Sequence, residues 1–143
     1  MAVSLPNLID QLFLAVQTKD LPGVLACFAD DAILIDPHYP TPRMVGKQAI
    51  SEGVRWAFAT LDQMHFTPVN YFAAEDGQRA AVEVATAHVV RGGRQLRFVQ
   101  TFVIETQASR ITRLQVYTPY GPPGLGGLLL GLLRLQGRWS RRR

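Results

Sequence analysis

The sequence predicts a single α+β domain in which a cone-like, curved antiparallel sheet packs against three N-terminal helices, followed by a short C-terminal helical element. Three observations carry this expectation. Apolar residues recur at helical spacing through most of the first sixty positions. From Met64 onward the texture changes to runs of Val, Thr, Phe and Tyr broken by turn signals. Finally, 143 residues with 48% hydrophobic and 18% charged side chains suit one core that needs neither disulfide nor metal to hold it.

The first helix is expected over 5–18. Ser4 before Leu5 and Pro6 offers a start, and Leu8, Ile9, Leu12, Phe13 and Val16 fall on one face. Asp20 before Leu21 and Pro22 caps a second, short helix that stops at Asp30 and Asp31. Ala32 to Ile35 is a β-branched run between acidic residues and Pro37, hence a short strand, and alternation puts Asp36 on the face shared with Ala32 and Leu34. The segment from His38 to Pro42 is irregular because its prolines remove donors. Gly46 opens a third helix with Ile50, Val54, Ala57, Phe58 and Leu61 at its period, while Arg55 and Trp56 lie off that stripe.

Turn signals at Glu75-Asp76-Gly77, Arg91-Gly92-Gly93-Arg94 and Gln107-Ala108-Ser109 divide the rest into four antiparallel strands, about 64–75, 78–91, 94–106 and 110–119. Gly121-Pro122-Pro123-Gly124 then separates a domain over 1–120 from a leucine-rich helix and basic tail over 121–143.

Charge excludes one class of function. Of the formal net charge of +4, five positive charges belong to Arg134, Arg138, Arg141, Arg142 and Arg143, so without them the remainder carries −1. The body has no basic face for a phosphate backbone, and no nucleic-acid partner is expected. Cys27 is the only cysteine, which rules out an internal disulfide and reads as a buried structural thiol. Three histidines without H-x-H or HExxH spacing give no metal site, and no cofactor is implied. The start lacks a basic region followed by an apolar run, which points to a cytoplasmic protein.

The order FADD, strand AILID, Asp36-Pro37, a proline-containing loop and then GKQAI resembles the nuclear transport factor 2-like superfamily over about 5–120. Within it the chain looks like the branch of SnoaL-like polyketide cyclases and ketosteroid isomerases. The resemblance implies an apolar pocket for a small hydrophobic ligand and a homodimer through the convex sheet face. It also implies that Asp36 acts as general base. A carboxylate beside an apolar cavity is poorly hydrated and so can take a proton from a carbon next to a carbonyl.

The isomerases' two oxyanion donors are a tyrosine and a protonated aspartic acid. Here Leu12 and Gln100 stand at those positions; the Gln100 amide can still donate. The Arg-x-Asp step of limonene epoxide hydrolases is matched by Phe98 and Gln100, and no aspartate follows Asp76 to serve as a late cyclase base. Ligand contacts are expected from His38 and Tyr39 in the loop, from Trp56, and from Phe98, Gln100 and Phe102 on one strand face. His88 reads as a hydrogen-bonded histidine of the sheet or dimer face in preference to an acid/base partner. The leucine-rich end is expected to dock on the pocket mouth or on a partner subunit, with membrane-surface contact the less favoured reading.

Overall fold

The computed structural model describes residues 3–120 and 124–140. The Gly121 to Pro123 part of the expected boundary and the tail of Arg141 to Arg143 lie outside them. Helix α1 (Leu5–Gln17) buries Leu8, Ile9, Leu12 and Phe13 of the expected stripe together with Leu5 and Ala15, while Val16 is only partly buried. Helix α2 (Leu21–Ala26) starts where the Asp20 carboxylate accepts from the Gly23 N–H at 3.0 Å. Helix α3 (Gly46–Thr60) buries Ile50, Val54 and Ala57.

Six strands form one curled sheet in the order β2-β1-β6-β5-β4-β3. They are β1 (Phe28–Ile35), β2 (Arg43–Val45), β3 (Leu61–Ala73), β4 (Arg79–Val90), β5 (Gln95–Gln107) and β6 (Arg110–Tyr117). The meander from β3 to β6 is antiparallel as expected. The sheet is nevertheless mixed, because β1 pairs with β6 in parallel. A parallel pair needs a long crossover, and the chain between β1 and β6, which contains α3 and the meander, supplies it.

Besides Leu61, which the periodicity gave to the third helix and which opens β3, two features differ from expectation. The second helix ends at Ala26 and β1 already begins at Phe28, running through the acidic pair. Between Phe28 and Ile33 the register of β1 shifts against β6, so Asp30 and Asp31 can both face water inside a strand. The second difference is β2, which three residues form among the prolines. It is hydrogen-bonded to β1 and sends buried Met44 into the core.

Alternation on the meander is regular. Ala80, Val82, Val84, Thr86 and His88 of β4, with Gln100, Phe102 and Ile104 of β5, are buried on the concave face under α1 and α3. Burial of about twenty apolar side chains in one cluster is the main stabilising term. Cys27 is among them, and its thiol is pushed up in pKa by burial, partly countered by Arg110. Lys19 fastens the helical layer to the sheet: its Nζ donates to the Phe58 carbonyl at 2.9 Å and to the Leu61 carbonyl at 2.6 Å, where α3 ends.

Helix α4 (Gly124–Ser140) follows the body. Six of its seven leucines are 54–85% exposed, so the expected docking over the pocket mouth is not what the structure has.

Candidate functional site

The concave face does not close into a solid core. A cavity of about 280 Å³ remains between α1, α3, the loop after β1 and the inner face of β3 to β6. Its wall is overwhelmingly apolar, with Leu12, Phe13, Met64, Phe66 and Leu114 among its residues. This volume lies just below the usual range for small-molecule sites, about 300–1,000 Å³. Partly exposed Trp56, Leu96 and His38 mark the opening.

All seven residues singled out from the sequence line this cavity: Asp36, His38, Tyr39, Trp56, Phe98, Gln100 and Phe102. Asp36 follows the last residue of β1, on the side of buried Ala32 and Leu34. Its backbone is held by Asp36 N–H to the Pro42 carbonyl (2.8 Å) and Tyr39 N–H to the Asp36 carbonyl (3.2 Å). Its carboxylate accepts from the His38 N–H at 2.9 Å, an Asx turn across Pro37, and meets His38 Nδ1 at 2.7 Å through the same Oδ1. The side chain of Asp36 is only 13% exposed, that of His38 33%. A neutral His38 that donates from Nδ1 presents Nε2 as an acceptor, while Asp36 Oδ2 has no hydrogen-bond partner among the described residues.

Aromatic rings frame the pair. His38 lies 5.1 Å from Phe98 and 6.1 Å from Tyr120, centroid to centroid. Tyr39 packs on Trp56 at 5.7 Å, an approach that Gly53 of α3 permits, since a Cβ there would collide with Met44 and press on Tyr39. Burial, and secondarily the Asp36 charge, push the Tyr39 hydroxyl well above its usual pKa. It is a neutral phenol.

At the inner end stand Gln100, Thr86 and His88. Gln100 Nε2 donates to Thr86 Oγ1 at 2.9 Å, leaving Gln100 Oε1 buried without a partner. The expected amide donor is thus turned to Thr86, and the Oε1 acceptor is left buried and unpaired. Because a threonine hydroxyl both donates and accepts, the amide can turn over, keep its Thr86 bond and present N–H instead. His88 corrects the sequence reading. It faces the cavity, not the outer face, and its Nδ1 is buried without a hydrogen-bond partner. Its ring meets Phe66 and Phe98 edge-on at 5.1 and 5.9 Å. Burial lowers its pKa, against a weaker upward pull from the Ala87 backbone, so His88 is neutral.

The register that places His88 inward places Glu83 outward, where it accepts from Asn70 at 2.6 Å. Among the described residues no group of three or more His, Cys, Asp or Glu side chains could hold a metal ion.

Solved structures share this architecture. A Δ5-3-ketosteroid isomerase from a Mycobacterium species superposes with TM-score 0.73 at 21% identity, covering 80% of this chain and 93% of its own. A putative polyketide cyclase from Pseudomonas putida gives 0.71 at 17% identity, covering 89% and 96%. A Mycobacterium tuberculosis protein in complex with estradiol-17β-hemisuccinate gives 0.70 at 21%, covering 77% and 89%. At these identities the likeness is one of fold. No curated protein matches the sequence. The SnoaL-like domain model, however, matches residues 9–114, the span that builds the sheet and its cavity, and the chain therefore belongs to the SnoaL-like family.

Proposed function

We propose that the protein is a cofactor-independent enzyme of the isomerase, cyclase or dehydratase kind, acting on a small hydrophobic carbonyl or polyketide-like molecule. The observation that carries this reading is the Asp36–His38 pair, joined at 2.7 Å, in the wall of an otherwise apolar cavity. A carboxylate with one oxygen engaged and the other open is suited to take a proton from a carbon next to a carbonyl. Asp36 is the base, and His38 orients it and shares its charge. The enolate oxygen that results needs a donor at the inner end, which His88 or a turned Gln100 amide provides. Return of the proton to another carbon gives isomerisation; transfer to a departing hydroxyl gives dehydration.

Asp36→Asn tests this, because the amide oxygen can keep the turn across Pro37 while losing basicity. With enone, steroid or polyketide-like substrates, turnover should fall by about 10²–10⁴-fold while ligand binding persists. Undiminished turnover would remove Asp36 from the mechanism. A second reading, a non-catalytic binder of apolar molecules, is favoured by Leu12 in the cavity wall, which donates nothing. Tight binding with no turnover of any such substrate by the unmodified protein would select it.

The outer sheet face supports a homodimer. By register Phe72, Val99 and Tyr117 project outward, 50–58% exposed, around the small Ala81 and Ala85. Phe72→Asp should convert a dimer to monomer by light scattering. Monomer at micromolar concentration before any substitution would refute the assembly.

A further inference from the structure

Helix α4 is an element that the pocket does not use. On the helical period Leu125, Leu128, Leu129, Leu132, Leu135 and Trp139 project within about 120° of one another, a continuous apolar stripe. Each is 54–85% exposed. Arg134 and Arg138 project from the opposite side, among glycines and Leu130. No Asp or Glu follows Glu105 in the sequence, and five of the last ten residues are arginine.

These features narrow the occupant of the stripe. The body does not cover it. Pairing with a second copy of the helix would cover the stripe but leave the arginines, which face away from it, without a partner of opposite charge, since neither segment holds an acidic residue. Spanning a bilayer is excluded by length and polarity: among the described residues no helix is long and apolar enough to cross. A helix with leucine and tryptophan on one face and arginine on the other fits the plane of a membrane interface, where the stripe enters the acyl boundary and the guanidinium groups stay with the headgroups. The glycines agree with this, since each weakens the helix in water, so that the helix draws its stability from the surface it lies on. Trp139, beside Arg138 at the end of the stripe, is placed as an interfacial anchor.

We propose that α4 is an interfacial anchor that seats the pocket domain on an anionic lipid bilayer. Flotation of the full chain tests it, with vesicles of phosphatidylcholine alone or mixed equally with phosphatidylglycerol. The protein should float with the anionic vesicles, remain behind with the neutral ones, and be released near about 0.5 M salt. Arg134→Ala with Arg138→Ala should weaken binding about 25-fold, some fivefold for each charge. Leu129→Asp with Leu132→Asp should abolish it. In a Trp56→Phe background, Trp139 emission should shift to the blue on binding.

Melting temperatures of these variants should match the parent, which separates lost binding from lost folding. Failure to float with anionic vesicles, equal binding to neutral ones, or unchanged binding by the leucine variants would overturn the proposal. So would an oligomer in lipid-free solution that the leucine substitutions dissociate, since the stripe would then belong to a protein contact.

Discussion

Replacing His88 by phenylalanine should make the protein more stable. The buried Nδ1 of His88 has no hydrogen-bond partner, and an unsatisfied buried polar atom typically costs about 1–3 kcal/mol. Phenylalanine removes that atom yet keeps a ring to meet Phe66 and Phe98 edge-on, contacts worth about 0.5–1.5 kcal/mol each. Its slightly greater bulk enters the cavity, so overpacking is slight. The net expectation is a gain of about 1–2 kcal/mol, or roughly 3–6 °C in melting temperature for a chain of this size. Urea denaturation near neutral pH reads it as a higher midpoint at unchanged slope.

A pH series adds a second readout. The folded-state pKa of His88 lies below its ordinary value of 6.5, so the unfolded chain binds the proton more readily. The part of the stability contributed by neutral His88 is present above pH 6.5 and is lost as pH falls through the lowered pKa. His88→Phe abolishes that loss. A midpoint that is lower than the parent's, or an acid slope identical to it, would refute the claim that His88 is buried, neutral and unpaired.

Two further substitutions probe the frame around the pocket. Lys19→Met should destabilise by about 1 kcal/mol in thermal melting, since it deprives the end of α3 of a charged donor to two carbonyls. A change within error would mean that solvent replaces the lysine freely. Ser109→Gly should stabilise by about 1 kcal/mol, because Ser109 holds a left-handed φ of 58° in the tight turn between β5 and β6. A lower melting temperature would show that the serine side chain compensates its backbone.

Legibility in the sequence followed the physics of each element. The helices α1 and α3 could be read because their apolar stripes are regular, and the meander because its turns carry glycine or polar residues. The start of β1 could not, since an acidic pair mimics a helix stop and only the register shift opposite β6 explains how both acids stay in a strand. Strand β2 has three residues, too few for periodicity to register. Asp36, Phe98, Gln100 and Phe102 were legible as cavity-facing by alternation. His88 was not, because a one-residue slip reverses a strand's faces and nothing in an Ala/Val/Thr run fixes the register.

The partnership of Asp36 with His38 was the signal most easily missed. A carboxylate before proline reads from the sequence as a turn cap or a base, but spacing alone does not announce that the His38 ring also meets it.

That turn has a consequence for the rim of the cavity. One oxygen, Asp36 Oδ1, receives both the His38 backbone N–H and His38 Nδ1. A proton arriving on that oxygen weakens the acceptor on which the turn at His38 depends, so the shape of the entrance is geared to the charge of the carboxylate. In the proposed mechanism the threshold and the base are one group, and a molecule that alters its protonation also alters the door through which it came.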